Sequence, residues 1–536
     1  MTIDRRLVLK GTAAAGAAAL AAPPFRPAAA QSRRETLLMV SENPPNSTDI
    51  HGVGANRPAY EASWNLYDRL LTFGVKKDSN GNDHYDYETL LPELAEEWDL
   101  RPMSVTFKLR RDARFQDGTP VTAADVKWSF DRAVSVGGFP TFQMGAGSLE
   151  KREQFVVVDD HTFRVDFLRR DKLTMPDLGV PVPVIINAGL ARRNATEQDP
   201  WAMTWLRSNP AGSGAYRLER WVPGQEMVFA RNDAWTQGPR PGLARVIWRI
   251  VPQSGNRRAL LERGDADLGF DLPPKDFQEL RASRRLKVIS TPVENALQYI
   301  GMNCERGPFT NVKLRQAVAF AVPYQRIMEQ ALFGQAIPMF GGPAQPETAA
   351  WPQPSPFTTD LARARALVAE AGFPNGLDTT LSFDLGLATV NEPISLALAE
   401  NLAAIGIRVT INKVPGANWR NELLKKEMPL ITNTFGGWLN YPDYFFYWAY
   451  HGQNAVFNSM SYRNPQMDAL IDRSRFAEDR AEYEAAVKGF VAIAWADVPR
   501  IPLFQPNLNV AMQQSIQGYR YWFHRQLDYR TLSKTA

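Results

Sequence analysis

Residues 105–126 read VTFKLRRDARFQDGTPVTAADV, and successive parts of this stretch predict three local structures. Residues 105–110 alternate apolar and polar side chains with a period of two, the pattern of a strand with one buried face. Asp117-Gly118 is typical of a turn, and Thr122 is a suitable N-cap for the helix that follows, where Val126 begins an apolar face. The stretch therefore predicts a strand, a turn and a capped helix within a mixed α/β protein.

The rest of the chain extends this mixed pattern. A short apolar run predicts a strand over 35–41, and near-helical apolar spacing predicts a helix over 59–71. The order strand, helix, strand over 381–385, 393–404 and 407–413 favours a parallel sheet. A helix over 313–332 contains Pro323, which should break or kink it.

Composition limits the classes of function. The 536 residues exceed one hydrophobic core and predict two or three domains. With 61 basic and 57 acidic residues, the net charge of +4 is too small to indicate nucleic acid as the main partner. The single cysteine, Cys304, excludes an internal disulfide and any cysteine-based metal cluster, and the five histidines are scattered. No cofactor and no metal site is predicted.

The first thirty residues have the layout of an export signal. Arg5-Arg6 precedes an apolar run over 11–22 that is too short to span a bilayer, and Ala28-Ala29-Ala30 provides a cleavage site. The arginine pair before a weakly apolar run resembles a twin-arginine signal. We expect cleavage near Ala30 and a periplasmic mature protein with no membrane span and no lipid anchor, because no cysteine lies near the cleavage site.

A search for catalytic motifs gives no enzyme prediction. The chain lacks a G-x-S-x-G elbow, an H-E-x-x-H pair and a G-x-x-x-x-G-K-[ST] loop, and Gly52-Val-Gly54 lacks the third glycine of a dinucleotide fingerprint. A catalytic set can also be dispersed along a chain, so an exported hydrolase stays as an alternative. The interpretation favoured by the residues is a protein without catalytic activity.

Two segments are candidates for a binding site. The first, 436–450, has eight aromatic residues among the thirteen from Trp438 to Tyr450. Its candidate ligand contacts combine a close backbone approach, aromatic faces and directional polar groups: Gly437, Trp438, Asn440, Tyr441 and Asp443. The second is the polar loop 43–51, at the carboxyl end of a predicted strand, where open α/β sheets bind ligands; its candidates are Asn46, Thr48 and Asp49. The alternatives are an aromatic helix packed between domains and an ordinary connecting loop.

Several blocks in order resemble the extracytoplasmic solute-binding proteins of family 5, the peptide, nickel and opine class that serves ABC transporters. They are Leu94-Ala-Glu-Glu-Trp98 followed by 105–126, Gly212-Ser-Gly-Ala-Tyr216 with Arg231-Asn232 and Gly264-Asp-Ala-Asp267, Asn311-Val-Lys-Leu-Arg-Gln-Ala317, Ala369-Glu-Ala-Gly-Phe373, and Leu402-Ala-Ala-Ile-Gly-Ile407. The resemblance covers essentially all of the mature chain.

This resemblance implies a two-lobed periplasmic-binding-protein fold with an extra inserted domain. Lobe I is expected to combine 31–58, 200–290 and 500–536, the inserted domain to be 59–199, and lobe II to be 291–499. Crossings near 290–295 and 500–505 would form the hinge, with the ligand enclosed between the lobes.

The resemblance also implies a function. A monomer would capture a small polar solute, a peptide or a peptide-like molecule, by lobe closure and deliver it to an ABC permease in the inner membrane. Peptide-binding members carry an aspartate for the ligand's amino group near Trp438–Tyr441; here Asn440 stands near that place, with Asp443 as a possible substitute. An uncharged amide would not pair with a buried ammonium group, so an oligosaccharide, an opine or another non-peptide solute is the alternative.

Overall fold

The computed structural model describes residues 33–340, 355–452, 457–522 and 526–535. The predicted export signal, 1–30, lies outside the described residues, as does His524. Among the helices that the structure describes, none is both long and apolar enough to cross a membrane.

The described residues form strands and helices in mixed order. The strands are β1 (Thr36–Ser41), β2 (Leu71–Lys77), β3 (Asp83–Pro92), β4 (Ala95–Arg101), β5 (Ser104–Leu109), β6 (Phe155–Asp159), β7 (Thr162–Asp166), β8 (Tyr216–Val222), β9 (Glu226–Arg231), β10 (Arg245–Ile250), β11 (Leu268–Gly269), β12 (Leu286–Pro292), β13 (Ala296–Met302), β14 (Ala336–Pro338), β15 (Leu377–Asp384), β16 (Ile407–Val414), β17 (Leu430–Gly436), β18 (Arg500–Gln513), β19 (Ile516–Gln517) and β20 (Ser533–Lys534).

The α-helices are α1 (Arg57–Leu66), α2 (Ala123–Ser135), α3 (Gly138–Ala146), α4 (Thr174–Asp177), α5 (Ala188–Arg193), α6 (Met203–Leu206), α7 (Ser254–Arg263), α8 (Pro274–Leu280), α9 (Val312–Ala321), α10 (Tyr324–Arg326), α11 (Leu361–Glu370), α12 (Ala388–Ala404), α13 (Gly416–Lys425), α14 (Pro442–Ala449), α15 (Pro465–Phe476) and α16 (Arg480–Asp497).

One long strand connects the two lobes. The first part of β18 pairs antiparallel with β13 in lobe II, from Arg500 to Phe504. Its second part pairs antiparallel with β12, from Asn507 to Gln513. The strand order is therefore β16-β15-β17-β13-β18 in lobe II, continuing through β11-β1-β10-β9-β8 in lobe I. The two-lobed α/β class predicted from the sequence is confirmed, and the residue boundaries of its parts stay predictions.

The part of the chain predicted as the inserted domain, 59–199, contains two smaller sheets. One pairs β2 with β3, and the other has the order β4-β5-β7-β6. Thr122 and Asp125 form a reciprocal cap at the start of α2, with the Thr122 backbone nitrogen donating to Asp125 Oδ2 over 3.1 Å. The strand, turn and capped helix predicted for 105–126 are thus present as β5, a turn at Asp117-Gly118 and α2.

The helix predicted over 59–71 is shorter than expected. It runs from Arg57 to Leu66, directly after its N-cap Asn56, whose side chain accepts from the Ala59 nitrogen, and it ends before β2 starts at Leu71. The chain between them is buried and extended, since Leu70 accepts hydrogen bonds from Glu93 and Ala95. Apolar spacing alone could not separate this buried extended segment from a longer helix.

The interruption at Pro323 is as predicted. Helix α9 ends at Ala321, and a new helical segment starts at Tyr324. The parallel pairing of the 381–413 region is also confirmed, because β15 pairs parallel with both β16 and β17. Helix α12 between them starts earlier than predicted, at Ala388, and contains Pro393 in its first turns.

The inserted region also contacts lobe II away from the strand that joins the lobes. Arg475 of α15 forms a buried ion pair with Asp171 over 2.9 Å, and it donates to the carbonyl oxygens of Gly145 and Ala146. Tyr444 of α14 donates to Gln143 Oε1 over 3.0 Å. Lobe II is therefore held both at the shared strand β18 and along α14 and α15.

Candidate functional site

The loop after β1 is stabilised from inside the protein. Thr48 is buried and donates through its hydroxyl to the Leu206 carbonyl oxygen over 2.8 Å. Asp49 is also buried, and both of its oxygens accept hydrogen bonds from Arg132 of α2, over 3.0 and 2.5 Å. These two predicted ligand contacts are thus engaged in tying the loop to the neighbouring helices.

Asn46 lies on the outer side of this loop. Its side chain accepts from the backbone nitrogen of Asn56, the residue that caps α1, and donates to the Gly54 carbonyl oxygen over 2.9 Å, while its backbone nitrogen donates to Asn56 Oδ1. Asn46 also lines an open groove of about 630 Å³ whose far wall is the β8–β9 hairpin, including Trp221. The structure therefore separates Asn46 from the buried positions of Thr48 and Asp49.

Buried charge around Asp49 shifts two pKa values. Burial alone would raise the pKa of Asp49, but the charge and hydrogen bonds of Arg132, together with His51, outweigh burial, and the pKa lies below its ordinary value. Burial, reinforced by the charge of Arg132, lowers the pKa of His51 to about 4. The His51 ring meets the Val182 carbonyl oxygen through Nε2 at 2.7 Å, so that nitrogen carries the proton. His51 is thus a neutral, buried part of the loop.

The aromatic segment begins where β17 ends. Gly437 donates to the Asn295 carbonyl oxygen over 3.0 Å and accepts from the Asn295 side chain over 2.6 Å, which fixes the segment to the start of β13. A Cβ atom at Gly437 would lie 2.5 Å from Cε1 of Tyr444. A glycine is required here because the tyrosine ring occupies the space of a side chain.

Trp438 is the centre of an aromatic box that we define as Tyr60, Phe139, Trp438 and Phe457. The Trp438 ring packs edge-on against Tyr60 and Phe139, with centroids 5.6 and 5.1 Å away. Phe139 in turn lies 6.2 Å from Phe457. Tyr60 belongs to α1 and Phe139 to α3, both in the predicted inserted domain, whereas Trp438 and Phe457 lie in the part of the chain predicted as lobe II. The box is therefore assembled where these two parts of the chain meet.

Asn440 and Tyr441 lie at the rim of this interface. The Asn440 amide donates to Glu294 Oε2 over 3.5 Å, and it lowers the pKa of the Tyr87 hydroxyl, which burial raises. The Tyr441 ring meets that of Tyr87 edge-on, 6.4 Å between centroids. Both residues face the β2–β3 sheet, while Trp438 faces α1 and α3.

Asp443 is buried against the inserted region. Lys172 Nζ lies 3.2 Å from its carboxylate, and the Tyr483 hydroxyl donates to it over 3.2 Å. Burial raises the pKa of Asp443, and the charge of Lys172 opposes that rise. Asp443 already has a cationic partner, so its role is to join α14 to the inserted region.

The sequence did not reveal several residues that surround Trp438. Tyr60, Phe139 and Phe457 have no local signal that distinguishes them from core aromatics. Arg420 of α13 is a further member of this neighbourhood, with its guanidinium carbon 5.7 Å from the Phe139 centroid and 5.6 Å from that of Phe457. Among the described residues, no group of three or more His, Cys, Asp and Glu side chains is arranged to hold a metal ion.

The fold and this interface define a two-lobed α/β binding protein. The family model of the bacterial extracellular solute-binding proteins, family 5 (Middle), matches residues 89–457. The chain belongs to this family of solute-binding proteins, which confirms the family suggested by the sequence blocks.

Individual relatives agree with this membership. The probable D,D-dipeptide-binding periplasmic protein DdpA of Escherichia coli K12 is 27% identical over 463 residues, covering 84% of this chain and 85% of the relative. The glutathione-binding protein GsiB of Shigella dysenteriae is 26% identical over 438 residues, covering 80% and 82%. The structure of the periplasmic binding protein DppA of Helicobacter pylori, in complex with the peptide STSA, is 22% identical and superposes with a TM-score of 0.81, covering 93% and 98%.

The buried histidine predicts a specific acid sensitivity. Below pH 6.5 the unfolded chain binds a proton at His51, whereas the folded chain does so only near pH 4. Burial of neutral His51 therefore stabilises the fold above pH 6.5. This contribution to the free energy of unfolding is about 3 kcal/mol, and it is lost as the pH falls toward 4. Urea unfolding at several pH values should show that the wild type loses more of its free energy of unfolding on acidification than His51→Gln does, by this amount. Parallel plots of unfolding free energy against pH would contradict the assignment of His51.

The ion pair of Asp443 predicts a stability contribution. Replacing Lys172 by Met leaves the Asp443 carboxyl group buried without its cation, and the free energy of unfolding should fall by about 2 kcal/mol, less than for a fully buried pair because Lys172 is partly exposed. Arg170→Gln is the control, because its pair with Glu478 is exposed and should cost no more than ~0.5 kcal/mol. Equal urea midpoints for the two variants would contradict this view of Asp443.

The aromatic box predicts where ligand affinity resides. Trp438→Ala removes the ring that contacts both α1 and α3, and ligand-induced thermal stabilisation should weaken by an amount that corresponds to at least about tenfold in affinity. Trp221→Ala is the control, since Trp221 lines the open groove beside Asn46. Calorimetry with whatever small molecule co-purifies with the wild type would measure both; a larger loss for Trp221→Ala would place the ligand in the groove.

Proposed function

We propose that the protein is an exported, monomeric solute receptor that encloses a peptide or peptide-like molecule beside the aromatic box and delivers it to an ABC permease. The observation that carries this proposal is the composition of the box. Tyr60 and Phe139 lie on one side of the interface and Trp438 and Phe457 on the other, so a molecule held there contacts both. Binding where these two parts of the chain meet is the simplest use of such a site.

In this arrangement, closure is driven by the difference between the ligand's affinity for the closed form and its affinity for the open form. A ligand that contacts both sides binds the closed form more tightly than the open form, and this preference shifts the population. A shift from 1:99 to 99:1 needs about 5.5 kcal/mol of differential binding. Aromatic side chains that bury ~150–250 Å² each, together with a few hydrogen bonds, are sufficient for this.

The predicted ligand contacts divide into two groups in this proposal. Trp438 contacts the ligand directly, with Gly437 setting the path of the backbone, and Asn440 and Tyr441 contribute from the rim. Thr48 and Asp49 hold the loop after β1, and Asp443 holds α14. Asn440 is then the residue that replaces the amine-binding aspartate of peptide receptors, because Asp443 is paired with Lys172.

The ligand class is supported by the relatives. The names of two of them specify a D,D-dipeptide and glutathione, and the solved relative holds the peptide STSA. These are peptides or peptide-like molecules, which favours that class over an oligosaccharide for this chain. We place the protein in the periplasm on the same grounds, together with the twin-arginine signal predicted for residues 1–30.

Mass spectrometry and calorimetry together test this proposal. The full-length mature protein is incubated with a mixture of dipeptides and tripeptides, and the bound fraction is released by denaturation and identified. The expected result is saturable binding with peptides recovered unchanged. Cleaved peptides would instead indicate a hydrolase, and the absence of any bound peptide would overturn the peptide class.

A further inference from the structure

A buried carboxyl group lies where α14 of the predicted lobe II meets the predicted inserted domain. Asp177 is the last residue of α4, and its side chain is fully buried. Gln143 of α3 donates to Asp177 Oδ1 over 2.5 Å. The Tyr444 hydroxyl of α14 donates to the other end of that amide, Gln143 Oε1, over 3.0 Å. Asp177 is thus joined to the predicted lobe II through a single amide side chain.

Helix α15 contacts the backbone beside the same carboxyl group. Arg475 donates to the carbonyl oxygens of Gly145 and Ala146 over 3.1 and 2.7 Å. The next residue, Gly147, passes so close that a Cβ atom there would lie 2.8 Å from Asp177 Oδ2. Asp177 is therefore enclosed by the segment 143–147, which α14 and α15 both contact.

No cation neutralises this carboxyl group. Among the described residues, none of the ion pairs includes Asp177, and its Oδ2 has no hydrogen-bond partner. Two cations of the interface are already paired, Arg475 with Asp171 over 2.9 Å and Lys172 with Asp443 over 3.2 Å. Since an ionised carboxylate is costly to bury without a partner, the enclosed position favours the neutral acid.

The charged and titratable groups around Asp177 do not reverse this preference. Burial raises the pKa of Asp177 well above its ordinary value; Gln143 and Arg475 oppose the rise, whereas the charge of Asp171 adds to it. Tyr444 supplies no positive charge, and burial raises its own pKa, with the charge of Asp177 adding to that rise. The carboxyl group is therefore protonated for as long as it stays enclosed.

We propose that the receptor takes up one proton at Asp177 when it closes and releases it when it opens, so that acid favours the closed, solute-bound form. This inference rests on the proposed function, because the proton is added to the same closure. When α14 and α15 withdraw, water reaches the carboxyl group, which ionises and gives its proton to the buffer. Between the pKa values of the open and closed forms, solute affinity should therefore fall by up to about tenfold for each unit of rising pH.

Calorimetry counts this proton directly. The mature protein is titrated near neutral pH with a dipeptide of neutral side chains, whose termini keep their charges there, in phosphate and in imidazole buffer. These buffers differ in ionisation enthalpy, so the difference in heat gives the number of protons exchanged. The expected result is net uptake of up to one proton per dipeptide bound, with weaker binding as the pH rises. Binding without uptake and with an affinity independent of pH would overturn the inference and leave the proposed function intact.

Variants assign the proton to Asp177. Asp177→Asn keeps the shape of the side chain but cannot ionise, so it should bind the dipeptide without proton uptake and with the same affinity across this pH range. Asp99→Asn is the matched control, since Asp99 is exposed on β4 of the same predicted domain, paired with Arg101, and it should retain the wild-type uptake. Unchanged uptake by Asp177→Asn would place the proton elsewhere and overturn the inference. Should this variant fail to fold, the wild-type proton count still decides.

A measurement without solute separates this inference from the proposed function. Small-angle scattering of the ligand-free wild type should show a smaller radius of gyration at mildly acidic than at mildly alkaline pH, whereas Asp177→Asn should show the same radius at both. If the protein binds no dipeptide, the proposed peptide class fails and the scattering result alone decides the inference. A wild-type radius of gyration that does not change with pH would then overturn it.

Discussion

The rest of the structure depends on the hydrogen bonding of one strand to two sheets. The first part of β18 pairs with β13 and its second part pairs with β12. The lobes therefore share one continuous strand and cannot separate by translation. The join is reinforced beside it, since Val293 donates to the Pro506 carbonyl oxygen and accepts from the Gln505 side chain. Between the two ladders, Gln505 and Pro506 pair with β14, and Pro506 has no backbone donor to contribute. We expect relative motion of the lobes to be a rotation about these few residues.

This constraint decides which surfaces of the two parts of the chain face each other. Helices α1 and α3 meet the segment after β17 at the aromatic box, and Arg420 of α13 lies over two of its rings. Aromatic faces supply contact area with little loss of rotamer freedom. A solute bound at this meeting point, as we propose, would contact both parts of the chain.

The local elements of this fold could be read from the sequence, but most of its long-range pairings could not. The N-cap at Thr122 and the break at Pro323 are decided within a few residues, and both predictions are confirmed. Asp49 and Asp443 looked available because their partners are distant in the chain: Arg132 is 83 residues from Asp49. Tyr60 and Phe139 carry no local signal that distinguishes them, since they contact Trp438 only in the folded chain.

The buried contacts of α14 and α15 with the inserted region have a kinetic consequence. Two ion pairs lie away from the shared strand, Lys172 with Asp443 and Arg475 with Asp171. They would therefore move far during a rotation about that strand. In the proposed cycle of closure and opening, these ion pairs would have to break and four ionic groups would have to be rehydrated, which would add a barrier independent of the bound solute. A permease that competes for these contacts would then accelerate release of the solute without contacting it.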